Sequence, residues 1–95
     1  MLLKNGSFYY EKRLVSGDLR VTGDTITAFS PQSAGGLMPL ANEEVLELGG
    51  AAVIPAFLDI HTHGAVGVDV NAASAEDFEK LARFFARQGT GSFLC

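Results

Sequence analysis

The sequence predicts a mixed α and β fold. A small, sandwich-like β-sheet domain is expected over residues 1–52, and the first strand–helix–strand unit of a parallel barrel, left incomplete, over residues 53–95. Three observations predict it. Short alternating runs separated by turn residues fill the first half. An apolar run beginning at Val53 follows a glycine pair and ends at His61 and His63. One amphipathic helix begins at Ser74, and a second apolar run, Ser92-Phe93-Leu94, comes after it.

In the first half, Leu2-Leu3-Lys4 leads to Asn5-Gly6, a bulge or turn signal, and then to Ser7-Phe8-Tyr9-Tyr10. Glu11-Lys12-Arg13 reads as a polar break. Asp18 to Thr22 and Thr25 to Phe29 flank Gly23-Asp24, and a two-residue loop with glycine first is the signature of a type I′ or II′ hairpin. Alternation then places Leu19 and Val21 on one face, and Ile26 and Ala28 together on the partner strand. Pro31, Gly35, Gly36 and Pro39 break any period through Asn42, so this segment is a connection. Strand alternation resumes over Glu44-Val45-Leu46-Glu47-Leu48 and closes on Gly49-Gly50.

In the second half, Val53 to His63 reads as one strand, and Gly64 to Val70 as a loop. Ser74 and Asp77 form a capping box in which Asp replaces the usual Glu or Gln. Phe78, Leu81, Ala82 and Phe85 make one apolar stripe, which marks a core face. Glu76–Lys80 and Glu79–Arg83 are i,i+4 pairs of about 0.3 kcal/mol each. Gly89 is a fitting residue just past the helix end.

Composition narrows the function. The chain is 47% hydrophobic, and seven Lys and Arg against eleven Asp and Glu leave a net charge of −4, without a footprint for nucleic acid or an anionic membrane. Its longest apolar run contains Pro55 and is too short to span a bilayer. Cys95 is alone, so no internal disulfide forms, and a reducing cytoplasm is the expected location. Because Ser92-Phe93-Leu94-Cys95 reads as a buried strand cut short, the chain is expected to be the N-terminal piece of a longer one.

Alternation along a strand puts His61 and His63 on the same side. Two imidazoles at a strand end, just before a glycine, are a natural start for a metal site, although a catalytic zinc takes three protein ligands and no further histidine exists here. The competing reading is a pair of hydrogen-bonded structural histidines. Asp59 lies one pleat deeper on the same side. It either accepts an imidazole N–H behind the metal or caps local backbone amides. Asp69 is read as a turn residue.

The run Ile54-Pro55-Ala56-Phe57-Leu58-Asp59-Ile60-His61-Thr62-His63-Gly64 resembles the first barrel strand of the amidohydrolase superfamily, where Pro-Gly-Phe-Ile-Asp precedes His-x-His. Leu46-Glu47-Leu48-Gly49-Gly50 is similar to the strand before it. Gly64, Gly67, Asp69 and Gly89-Thr90-Gly91-Ser92-Phe93-Leu94 are similar to the N-acetylglucosamine-6-phosphate deacetylase branch. Ala56 stands where the family has glycine, and Gly91 where it often has threonine.

The resemblance implies a TIM-like barrel of roughly eight βα units, of which these residues supply about one and a half. It implies His61 and His63 as metal ligands, and no catalytic residue within this fragment. The remaining ligands (a Glu on the third strand and later histidines) and the catalytic Asp would lie beyond Cys95. It further implies a divalent metal, zinc or else iron, an amino-sugar phosphate as the small-molecule partner, and deacetylation of N-acetylglucosamine 6-phosphate, while the sheet edges and apolar helix face that so short a piece leaves uncovered make a homo-oligomer the expectation. Two other readings stand beside it: a cyclic amidase of the dihydroorotase or hydantoinase kind, and an inactive fragment or association module.

Overall fold

The computed structural model describes residues 1–95 and is mixed α and β, mostly strand with one helix. It divides into two compact units, Met1–Ile54 and Pro55–Cys95.

In the first unit, strands β1 (Leu2–Tyr10), β2 (Arg13–Thr22) and β3 (Thr25–Pro31) form an antiparallel meander. β4 (Val45–Glu47) and β5 (Ala52–Val53) then pair in parallel with the other edge of β1, giving one connected five-stranded sheet. The expected sandwich-like arrangement is therefore replaced by a single sheet organised around β1. β4 covers Leu2–Lys4 and β5 covers Ser7–Phe8, with Asn5 between them at φ +54° as a bulge. The chain steps round this bulge through Gly49 and Gly50, both in the left-handed region, while Leu48 and Gly50 donate to the carbonyls of Lys4 and Asn5. This is the physical content of the glycine pair after β4.

The two hairpins of this unit differ in legibility. Thr22 faces Thr25 across Gly23-Asp24, and only Gly23 has positive φ, which fits a type II′ turn. A bulge between Arg20 and Val21 then pairs Leu19 with Phe29 and Arg20 with Ala28, so the simple alternation of Ile26 with Ala28 is interrupted. The presumed polar break is a tight turn: Glu11 and Lys12 both take positive φ, and Arg13 already pairs with Tyr10. Leu2 and Phe8 are buried, with Phe29 edge-on to Phe8 at 5.7 Å.

Asp18 is the polar centre of the unit, only 1% exposed. Its Oδ1 accepts the Asn5 N–H at 2.8 Å, and its Oδ2 accepts the Leu37 N–H at 2.8 Å and faces Lys4 Nζ at 3.1 Å. Burial pushes this carboxyl up, but the two amides and the ammonium outweigh it and hold it below its ordinary value. Nearby, Arg20 grips Glu43 through two bonds of 2.7 and 3.0 Å, and Leu40 N–H donates to the same carboxylate. These contacts fasten the long connection to the sheet.

In the second unit, β6 (Phe57–Asp59) pairs in parallel with β9 (Thr90–Phe93), and α1 (Ala75–Arg87) lies between them in sequence. The apolar run from Val53 is thus not one strand. Pro55 has no N–H to give a ladder, and the chain leaves the first sheet at Val53 and begins the second at Phe57. The segment after His63 is a hairpin rather than a loop: β7 (Gly64–Ala65) and β8 (Val68–Asp69) are joined by Val66-Gly67, both with positive φ.

The helix starts with the expected reciprocal cap, in which Asp77 N–H donates to Ser74 Oγ and Ser74 N–H donates to Asp77 Oδ2. Leu81 is fully buried, and Phe85 packs on Phe93 at 4.9 Å. Phe78 and Ala82 remain exposed, so only part of the stripe is core within these residues. Two parallel strands, one helix and the β7–β8 hairpin are what this unit contains. No helix is long and apolar enough to cross a membrane.

Candidate metal centre

His61 and His63 follow the carboxyl end of β6 rather than lying within it. Four hydrogen bonds shape this exit. Asp59 Oδ1 accepts the His61 N–H at 3.0 Å, and Thr62 N–H donates to the Leu94 carbonyl at 3.0 Å. Thr62 Oγ1 accepts the Gly64 N–H at 3.2 Å, and the His63 carbonyl accepts the Val70 N–H at 3.1 Å. A β-carbon on Gly64, whose φ is +131°, would drive into the Val68 carbonyl, so the hairpin can close against the histidines only with glycine there.

The result is convergence of the two rings. His61 Nε2 and His63 Nε2 are 3.1 Å apart, with ring centroids 4.8 Å apart and planes at 89°. One ring donates and the other accepts, according to tautomer. Both side chains are exposed, whereas Thr62 between them is half-buried.

The donor set fits part of a cation's shell. Two imidazoles bound at about 2.0–2.1 Å in a tetrahedral site have nitrogens about 3.3 Å apart, close to the observed approach. No group of three or more His, Cys, Asp or Glu side chains is assembled that could hold a metal ion. Two converging imidazoles are what these residues bring together.

Asp59 makes its contact with the backbone of His61, so it acts on that imidazole through the main chain. Asp69 accepts from the Asn71 N–H and side-chain amide at 2.9 and 3.0 Å. Those two bonds hold its carboxyl below the ordinary value, burial opposes them, and the nearby His63 adds a small pull in the same direction. A concavity of about 430 Å³ lies elsewhere, between Val66 and the Glu76, Lys80, Arg83 and Phe84 side of α1. It contains neither histidine.

Reading the sequence missed Thr62, Leu94 and Val70 as supports of the pair. The one local signal was a threonine two residues before a glycine, the spacing of a hydroxyl-capped turn. The Leu94 and Val70 contacts are made by backbone groups and leave no mark on residue type.

No family model matches the chain. It is similar to a probable dihydroorotase-like protein of Helicobacter pylori, at 38% identity over 69 residues covering 73% of this chain and 17% of that protein. It is also similar to N-acetylgalactosamine-6-phosphate deacetylase of Escherichia coli O157:H7, at 36% over 76 residues, 80% of this chain and 18% of that protein. A dihydroorotase of Bacillus subtilis is 41% identical over 63 residues, 65% of this chain and 14% of that protein. The chain spans less than a fifth of the length of these relatives.

Proposed function

We propose that these residues belong to a metal-dependent amidohydrolase and supply two of its metal ligands, His61 and His63. The observation that carries this reading is the convergence of the two Nε2 atoms at 3.1 Å beyond the carboxyl end of a parallel strand. In parallel α/β folds that end of the sheet is where ligands gather. The relatives' names add support, because deacetylation of an amino sugar and opening of dihydroorotate both cleave a C–N amide bond with water. A divalent cation, zinc before iron, would supply Lewis acidity that makes water nucleophilic at neutral pH and polarises the amide carbonyl.

The chain's own residues do the holding. His61 and His63 would hold the cation through unprotonated Nε2 lone pairs, with each ring's proton then on Nδ1. Asp59 fixes the backbone of His61, and the Gly64–Asp69 hairpin fixes that of His63. The proton-transferring carboxylate and the remaining ligands belong to the rest of the protein under this reading. So does the barrel, which β6, α1 and β9 would open.

For the substrate we propose N-acetylglucosamine 6-phosphate, giving glucosamine 6-phosphate and acetate. The relative named N-acetylgalactosamine-6-phosphate deacetylase supports an acetylated amino-sugar phosphate in general, and the resemblance of the Gly89–Leu94 run is what favours the glucosamine sugar. A cyclic amide such as dihydroorotate is the second reading, and two of the relatives above carry that name or a like one. The experiment is to assay the whole protein with zinc or iron for acetate release from the acetylated sugar phosphate and, in parallel, for dihydroorotate hydrolysis. Acetate release that His61→Asn and His63→Asn reduce at least tenfold is the expected result. Turnover of dihydroorotate alone would move the assignment to the second reading, and turnover of neither would end the amidohydrolase proposal.

A further inference from the structure

We propose that Thr62, the residue between the histidines, is a positioning residue that sets the two rings against each other before any cation arrives. The inference rests on the metal reading above, but part of its test needs no metal. His61 and His63 are exposed while Thr62 is half-buried, so the three side chains alternate. The Thr62 N–H donates to the Leu94 carbonyl at 3.0 Å, which extends the β6–β9 ladder one bond past the Leu94 N–H to Asp59 carbonyl contact.

Its hydroxyl makes the second attachment. Oγ1 accepts the Gly64 N–H at 3.2 Å, the local turn that threonine and serine form with the amide two residues on. This turn bends the chain immediately behind His63. Asp59 makes the equivalent turn ahead of His61, with its Oδ1 on the His61 N–H at 3.0 Å. Thr62 alone is tied on both sides of the pair, through its backbone to β9 and through its hydroxyl to the start of the hairpin. Without the hydroxyl, the Gly64 amide is released and the segment behind His63 can turn its ring away from His61.

Two variants separate the hydroxyl from the shape. Thr62→Val keeps the branched outline without the acceptor, and Thr62→Ser keeps the acceptor with less bulk. In the metal-free full chain, a nuclear Overhauser contact between the His61 and His63 ring protons is expected in wild type and Thr62→Ser, and is expected to vanish in Thr62→Val. With zinc alone as the probe, competition against a chromophoric chelator is expected to show about tenfold weaker binding for Thr62→Val and binding within about twofold of wild type for Thr62→Ser.

A ring contact that survives in Thr62→Val overturns the proposal, and so does Thr62→Ser behaving like Thr62→Val. If Thr62→Val loses its circular dichroism, Thr62→Ala replaces it in both comparisons. Independently of any variant, a wild-type Gly64 amide exchanging as fast as an unbonded one overturns it too. Ring contacts that follow the expected pattern without any zinc binding by wild type would remove the metal reading and leave the positioning role in place.

Discussion

At Asp18 a single carboxylate joins segments that the sequence keeps far apart, taking the Asn5 amide on one oxygen and the Leu37 amide and Lys4 on the other. Replacing it with alanine leaves the Asn5 and Leu37 amides without an acceptor and Lys4 with only the Leu37 carbonyl. We expect Asp18→Ala to lose about 3 kcal/mol, read from urea unfolding. Glu43 gives a titration signature. The paired guanidinium of Arg20 first, then the Leu40 amide, lower its pKa from 4.5 to about 2. A depressed carboxyl stabilises the fold fully above its unfolded pKa, and that contribution disappears as pH falls through the folded one. Unfolding free energy should therefore decline between pH 4.5 and 2, and Glu43→Gln should flatten that decline. Nothing near Asp18 in the sequence announces its role, because its partners lie 13 and 19 residues away.

Among the elements, α1 was the most legible. Its cap, its apolar spacing and its terminal glycine are all local, and local rules suffice for them. Ser74→Ala should cost about 1 kcal/mol through loss of the reciprocal cap, measured as a lower unfolding midpoint. The Gly23 hairpin was legible for the same reason. The Glu11-Lys12 turn was not, since neither residue favours positive φ and only the pairing of β1 with β2 imposes it. The break between β5 and β6 was also hidden, because an apolar run does not show which of two sheets each part joins. Val66 is the clearest strained position, a β-branched residue at φ +49° in the hairpin turn. Val66→Asn should raise stability by about 1 kcal/mol, visible as a higher melting temperature. For the candidate site, the sequence located both histidines, but strand alternation is not what brings them together. The turns after Asp59 and Thr62 do that, since β6 has already ended.

Across the whole molecule, the second unit leaves Phe57, Leu58, Ile60 and Leu94 exposed, Ile60 at 72%. Parallel sheets are ordinarily covered on both faces, and a single helix cannot cover both sides of β6 and β9. The first unit, by contrast, closes its own hydrogen bonds around β1, with Met1 donating to the Val21 carbonyl and Leu2 to that of Glu44.

The double-sided pairing of β1 also dictates an order of assembly. Its partner β2 arrives after a two-residue turn, while β4 and β5 must come back from more than forty residues away, as Leu2 facing Val45 and Ser7 facing Ala52 show. Closing so long a loop is entropically slower than zipping a hairpin. During refolding under pulsed deuterium labelling, amides within β2 and β3 should become protected first, and those of Leu2 and Leu48, whose acceptors are Glu44 and Lys4, last.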